Sequence, residues 1–289
     1  MIGLDIGFGW TKVAEDGKEV GKFPTWIAYY DKDMVDVEPI EYEGRAYVVG
    51  EHARYSRQRI ELVDLDMLVR FIPVVLEYVR REYKVEGDIC GGLAPKHYSY
   101  YKENEPLRSK LNRVLKLVLP QGVGVLLDVD GSIKEGEVVL VVDVGFNTVD
   151  YVLAKKGGDR YHKYAIGSIE GLGVLRAVEL FKEKLPIQLD ILKGFSFSRL
   201  VEAFEKGYAT IEGEKVVLKS YVEFAKEEYV DLLLSRLKME LKGRVEERDR
   251  LVLAGGGANL LSAEVFGKNT VKPSLPEFSN ARGFSKVVL

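Results

Sequence analysis

Two stretches of this chain repeat one pattern. LDIGFGWTKV, beginning at Leu4, and VDVGFNTVDYV, beginning at Val142, each set Asp-x-Gly-Phe directly after an apolar strand, with a hydroxyl residue further on. In both places strand hairpins come first and helices follow. Self-similarity of this kind points to a duplicated α/β unit with a cleft between the halves. On this reading residues 1–130 form a first domain and residues 131–278 a second, while the closing segment 279–289 packs back on the first. The Gly- and charge-rich stretch 128–137 is the expected connection.

Local patterns fill in each half. Residues 2–6 read as an apolar strand, residues 11–14 and 20–23 as a hairpin turning at Asp16-Gly17, and residues 35–42 and 46–49 as a second pair joined at Glu43-Gly44. Residues 64–83 keep Leu65, Leu68, Val69 and Ile72 on one helical face, with Pro73 kinking that helix or starting another. Strands at 89–93 and 116–119 flank a basic helix at 105–115. The second half opens with the most apolar strand, VVLVVDV at 138–144, followed by a hairpin of 151–154 and 160–166. Helices at 171–185, 198–206 and 222–242 precede a strand at 251–254, and the tail ends in a short helix.

Composition narrows the function classes. Lys and Arg total 42 against 45 Asp and Glu, and the net charge of −3 argues against a generally basic nucleic-acid binder while leaving room for a local basic patch; no direct nucleic-acid partner is expected. The single cysteine, Cys90, excludes a disulfide framework and any four-cysteine metal site; His52, His97 and His162 are widely spaced and give zinc little support. No apolar run approaches the ~18 residues of a membrane helix, and the first residues lack the order of a secretory signal. The expectation is a cytoplasmic, reduced protein that engages no membrane, with Cys90 an inert thiol in an apolar strand.

Five motifs carry chemistry. In Asp5-x-Gly7-x-Gly9-x-Thr11-Lys12, a glycine turn lets backbone N–H groups approach an anion, Asp5 can orient a hydrated divalent metal, and Lys12 can reach phosphate oxygens. Asp143-x-Gly145-x-Asn147-Thr148-x-Asp150 repeats that logic in the other half. Gly255, Gly256 and Gly257, followed by Ala258 and Asn259, leave room for a flat ring or a ribose against the backbone after a strand. In Gly167-Ser168-Ile169-Glu170-Gly171-x-Gly173, Ser168 is the expected N-cap of a helix presenting its N–H groups to the cleft, and Glu170 can take ribose hydroxyls. Gln121, in Pro120-Gln121-Gly122-x-Gly124, can orient an attacking water. Each motif also has an ordinary reading as a turn or cap.

Their order resembles the actin–sugar kinase–chaperone ATPase superfamily, and within it the ParM-like bacterial and archaeal actins. PQGVG, GGLAPKHYSYYKENEPLR and the ending PEFSNARGF add to the likeness, which is weak at 20–60 and 185–245. The resemblance implies a duplicated, ribonuclease H-like fold of two mixed-sheet domains flanking a nucleotide cleft. It implies Asp5 and Asp143 as water-mediated Mg²⁺ ligands and Gln121 as the residue positioning the hydrolytic water. Gly7, Gly9, Thr11, Lys12, Gly145, Asn147 and Thr148 would hold the phosphates. Gly255, Gly256, Gly257 and Asn259 would border the adenosine, with Glu170 at the ribose. Phe8 and Phe146 depart from the small residues many relatives carry in these loops; they either restrict the cleft or pack beneath it. The implied activity is hydrolysis of ATP, or of GTP, coupled to head-to-tail polymerisation, with a separate DNA-binding adaptor if the role is DNA segregation. The alternatives are a small-molecule kinase on the same fold, with Asp143 or Asp150 as its catalytic carboxylate, and a non-catalytic nucleotide-binding module.

Overall fold

The computed structural model describes residues 1–32, 37–54, 56–62 and 64–288. The chain divides into two compact units, Met1–Ile133 with Glu277–Leu289, and Lys134–Pro276.

In the first unit β1 (Ile2–Ile6) pairs antiparallel with β2 (Trp10–Glu15), which pairs with β3 (Lys18–Pro24). A small antiparallel sheet follows, made of β4 (Ile27–Tyr29), β5 (Ile40–Tyr42), β6 (Arg45–Val49) and β7 (Arg59–Ile60). The strand expected at 35–42 starts on Val35 and Asp36, outside the described residues, and its described part supplies β5. Next comes α1 (Leu65–Tyr83), capped where the Met67 N–H donates to the Asp64 carboxylate at 2.8 Å. Pro73 lies inside this helix and opens no second one. The lost backbone hydrogen bond is outweighed by the buried stripe of Leu68, Val69, Phe71, Ile72, Val74 and Val75. Then follow β8 (Ile89–Leu93), α2 (Pro95–Glu103), α3 (Glu105–Asn112), β9 (Leu117–Pro120) and α4 (Val123–Val129). The tyrosines at 98, 100 and 101 thus ride on a helix, α2, where Tyr101 is buried and Tyr100 exposed. Both β8 and β9 run parallel to β1, giving the order β3-β2-β1-β8-β9.

The second unit repeats this plan. β10 (Val138–Val144) pairs antiparallel with β11 (Thr148–Gly157), and β11 with β12 (Arg160–Glu170). α5 (Val174–Lys184), α6 (Asp190–Lys193) and α7 (Phe197–Lys206) follow, then a hairpin of β13 (Tyr208–Ile211) and β14 (Glu214–Val217), and α8 (Lys219–Glu240). β15 (Arg250–Ala254) and β16 (Thr270–Val271) complete the sheet in parallel, in the order β12-β11-β10-β15-β16. Each central strand, β1 and β10, is covered on both faces and therefore reads as a continuous apolar run interrupted only by its aspartate.

The last helix, α9 (Ser279–Ser285), is buried along its whole length in the first unit. It approaches α4 so closely that a Cβ on Gly283 would fall 1.7 Å from the Gly124 carbonyl oxygen. Arg282, 6% exposed, forks onto Asp128 of α4 through Nε and Nη2 at 3.0 and 2.6 Å and also reaches Glu19. Burial opposes its charge, but the two carboxylates raise its pKa above the ordinary arginine value. Asp128, read from sequence as the start of a linker, is instead a buried anchor because Arg282 and Lys286 neutralise it.

Candidate functional site

The first unit gathers three of the expected residues. At the end of β1 the Gly7 N–H closes the turn on the Trp10 carbonyl at 3.1 Å. The β1–β2 register sets Asp5 opposite Lys12, so both side chains share a face, and Lys12 Nζ lies 3.2 Å from Asp5 Oδ2. On the other side of β1, Gly92 of β8 is the partner of Asp5. The Gln121 N–H donates to the Leu93 carbonyl at 2.7 Å, and its side chain passes over Gly92 so that Nε2 donates to Asp5 Oδ1. The missing Cβ of Gly92 makes room for the Phe284 ring, from which it would sit 2.3 Å, while Gln121 Cγ would lie at an ordinary contact distance of 3.4 Å. The turn after Gln121 is held from α9, since the Gly122 N–H, at φ +82°, donates to Asn280 Oδ1 at 2.9 Å. Both oxygens of a buried carboxylate are therefore engaged, one by a cation and one by an amide.

Thr11 does not join this cluster. Alternation along β2 puts it on the opposite face, fully buried, with its hydroxyl 2.9 Å from that of Thr25. Gly9 stands clear, with no atom within 4 Å of where its Cβ would be. Phe8 and Trp10, 42% and 44% exposed, flank it. Phe8 sets its ring edge-on to His97, and Lys22 lies over Trp10 at 5.1 Å.

The second unit builds the same turn. The Gly145 N–H donates to the Thr148 carbonyl at 2.9 Å, and Asp143 pairs across the strands with Asp150, the position that Lys12 holds in the first unit. Both carboxylates are buried. Gly255 follows β15 at φ +83°, and its backbone lies against Asp143: a Cβ would fall 2.2 Å from Asp143 Oδ1. Gly256 is exposed and open on the Cβ side, and Asn259 is exposed, whereas Gly257 packs on Val144 and Val174. Thr148 and Glu170 are cross-strand partners at the rim of this turn. Phe146, 57% exposed, meets Phe197 edge to face instead of packing beneath the loop.

Two expectations around α5 are corrected. Ser168 lies within β12, opposite Asp150, and caps no helix; Gly173 takes that place. The hairpin runs longer than its apolar alternation suggested because β12 pairs with β11 up to Glu170. The first N–H groups of α5 are also spent: those of Gly173, Val174 and Leu175 donate to the carbonyls of Asn147, Gly145 and Phe146 at 3.2, 3.0 and 2.9 Å. The helix start thus braces the glycine turn from below. Two supports had no local signal in the sequence. Lys272 Nζ donates to the Ala258 and Leu261 carbonyls at 3.3 and 3.1 Å, and the buried Tyr229 hydroxyl, its pKa driven up by burial, donates to the Leu172 carbonyl at 2.8 Å. Among the described residues no cluster of three or more His, Cys, Asp or Glu side chains is placed to hold a metal ion.

Two family models match the sequence: the N-terminal domain of actin-like proteins at residues 3–69, and the C-terminal part of archaeal MreB-like actin homologues at residues 141–266. Among solved structures, the chain is similar to a ParM from Clostridium botulinum in a 15-stranded filament, with a TM-score of 0.73, 18% identity and coverage of 98% of this chain and 97% of that one. It is similar to an archaeal actin homolog in complex with ADP, with a TM-score of 0.72, 18% identity and the same coverage. A third, a Bacillus thuringiensis ParM with AMPPNP, gives a TM-score of 0.64 at 16% identity over 98% of this chain and 96% of that one. No curated protein matches the chain.

Proposed function

We propose that this chain, which belongs to the actin-like proteins, binds an adenine nucleotide with Mg²⁺, assembles head to tail with its own copies, and hydrolyses the nucleotide. The observation that carries the reading is the doubled turn. In each unit an aspartate ends the central strand, and a glycine N–H then closes on the carbonyl three residues later. In the first unit the exposed Gly9, with Lys12, suits phosphate oxygens, and in the second the exposed Asn147 does. Gly255 and Gly256 keep side chains away from a base or ribose, with Asn259 and Glu170 as polar partners. Asp5 in the first unit and Asp143 in the second each have the chemistry to take a cation through water, because Mg²⁺ keeps most of its waters and takes one or two carboxylates plus phosphates. When bound, Mg²⁺ would neutralise phosphate charge.

The protein's own part is positioning. Lys12 and the turn amides hold the phosphates, and Gln121, a neutral amide, orients water without acting as a strong base. The ADP held by the archaeal homolog and the filament formed by the Clostridium botulinum ParM support adenine nucleotide and self-assembly for those proteins, and we extend both to this chain. A head-to-tail contact that does not close on itself propagates as a filament. A role in DNA segregation is the finer reading suggested by ParM; with a net charge of −3 it calls for a separate DNA-binding adaptor.

The test is 90° light scattering with phosphate release on the full chain in Mg²⁺ with ATP, GTP or ADP, beside Asp143→Ala. Scattering that rises only with triphosphate, followed by release that the variant lacks, is expected. Flat scattering across salt and protein concentration, with no phosphate released, refutes the proposal.

A further inference from the structure

Asp5 accepts from both Lys12 and Gln121, and this has a consequence for the direction in which the glutamine amide points. A carboxylate paired with an ammonium group offers acceptors only, so the amide atom that meets Asp5 Oδ1 must be the NH₂ group. With Nε2 held there, Oε1 is directed to the other side, because turning it to Asp5 would bring two electron-rich oxygens together. The backbone leaves little latitude for escape. Gln121 is tied by its own N–H to the Leu93 carbonyl, the next residue is held by Asn280, and the side chain runs past Gly92, whose other neighbour is the Phe284 ring.

We infer that Asp5 is a positioning residue for Gln121: it fixes the amide so that Oε1, a hydrogen-bond acceptor, is the atom presented to the attacking water. The hydrolytic consequence rests on the proposed ATPase reading; the orientation itself does not. An acceptor takes one O–H of the water and leaves an oxygen lone pair for attack. The same amide reversed would donate to that lone pair and block it. Lys12 completes the device by balancing the charge of Asp5 while both its oxygens are in use. Asp5 thus has a task beyond any metal, and that task operates without nucleotide.

The chain offers a direct readout because it contains three glutamines, Gln58, Gln121 and Gln188, of which Gln58 and Gln188 are exposed. Nucleotide-free full-length protein labelled with ¹⁵N at glutamine side chains gives three amide pairs in an NMR spectrum. Gln121→Met identifies one of them. The expected result is a Gln121 pair displaced from the other two and slower to exchange with solvent, which Asp5→Ala returns to the position of the exposed pairs. In the wild type, slower solvent exchange of the Gln121 pair than of the Gln58 and Gln188 pairs is a readout that does not depend on the variant folding. A Gln121 pair that coincides with those of Gln58 and Gln188 and exchanges as fast as they do, or that ignores Asp5→Ala, overturns the inference. Phosphate release measured on the same sample separates the two readings. A displaced, Asp5-dependent pair in a protein that releases no phosphate removes the hydrolytic role and leaves the orientation standing.

Discussion

Arg282→Ala should unravel the docking of the C-terminal helix, and the size of the effect follows from what it strands. Asp128 and Arg282 have side-chain exposures of 6% and 7%, and the guanidinium grips the carboxylate through two nitrogens. Removing one member of a buried pair costs about 3–5 kcal/mol, because the other charge is left in a poorly solvating site. Lys286 Nζ remains 3.0 Å from Asp128 Oδ1 and is 39% exposed, so the lower end, about 3 kcal/mol, is the appropriate figure. Glu19 is partly exposed and rehydrates. At about 2–4 °C per kcal/mol, the first unit should unfold about 6–12 °C earlier. Calorimetric unfolding at neutral pH measures this, and a double variant identifies the cause. Arg282→Met with Asp128→Leu removes both charges and should recover most of the loss, since the penalty belongs to the unpaired carboxylate. Unfolding of Arg282→Ala at the wild-type temperature would refute the reasoning, as would a double variant no better than the single one.

Other outcomes are equally specific. Gly255→Ala places a methyl against Asp143 Oδ1 at a backbone angle of φ +83°, and should cost about 2–3 kcal/mol in thermal unfolding of the second unit. Burial pushes the Cys90 thiol up to about 12, so at pH 8 only about 10⁻⁴ of it is thiolate; a disulfide reagent should label it in denaturant and leave the native protein untouched. Glu137 titrates below the ordinary value of 4.5, chiefly because Arg250 hydrogen-bonds its carboxylate. Its contribution is complete above that ordinary value and disappears as pH falls through the depressed one. Arg250→Ala should therefore flatten the acid limb of unfolding temperature against pH.

Legibility in the sequence followed the range of the interactions. The glycine turns are readable because a tight turn after a strand requires particular residues within a few positions, and the two copies share one spacing from Asp5 to Lys12 and from Asp143 to Asp150. The buried central strands announced themselves as apolar runs, since both faces are covered. Local reading failed where a partner distant in the chain decides. The residue 11 hydroxyl was placed with the phosphates, yet alternation and Thr25 bury it. Ser168 looked like a cap because its helix lay just ahead, but pairing with β11 keeps it in a strand. The start of α5 promised free N–H groups, which the carbonyls of Gly145, Phe146 and Asn147 consume.

The amino-acid sequence alone indicated two related α/β units, the central strands at 2–6 and 138–144, the glycine turns after them and the aspartates near their ends. Periodicity and turn chemistry are local properties, so they survive without coordinates. Only the tertiary structure decided that Gln121 reaches Asp5 across 116 residues, that Asn280 and Lys272 brace loops they do not adjoin, and that Arg282 locks the chain end onto Asp128 across 154. Contacts of that span depend on sheet order and on glycines that let helices and side chains approach, and no window of sequence contains both partners.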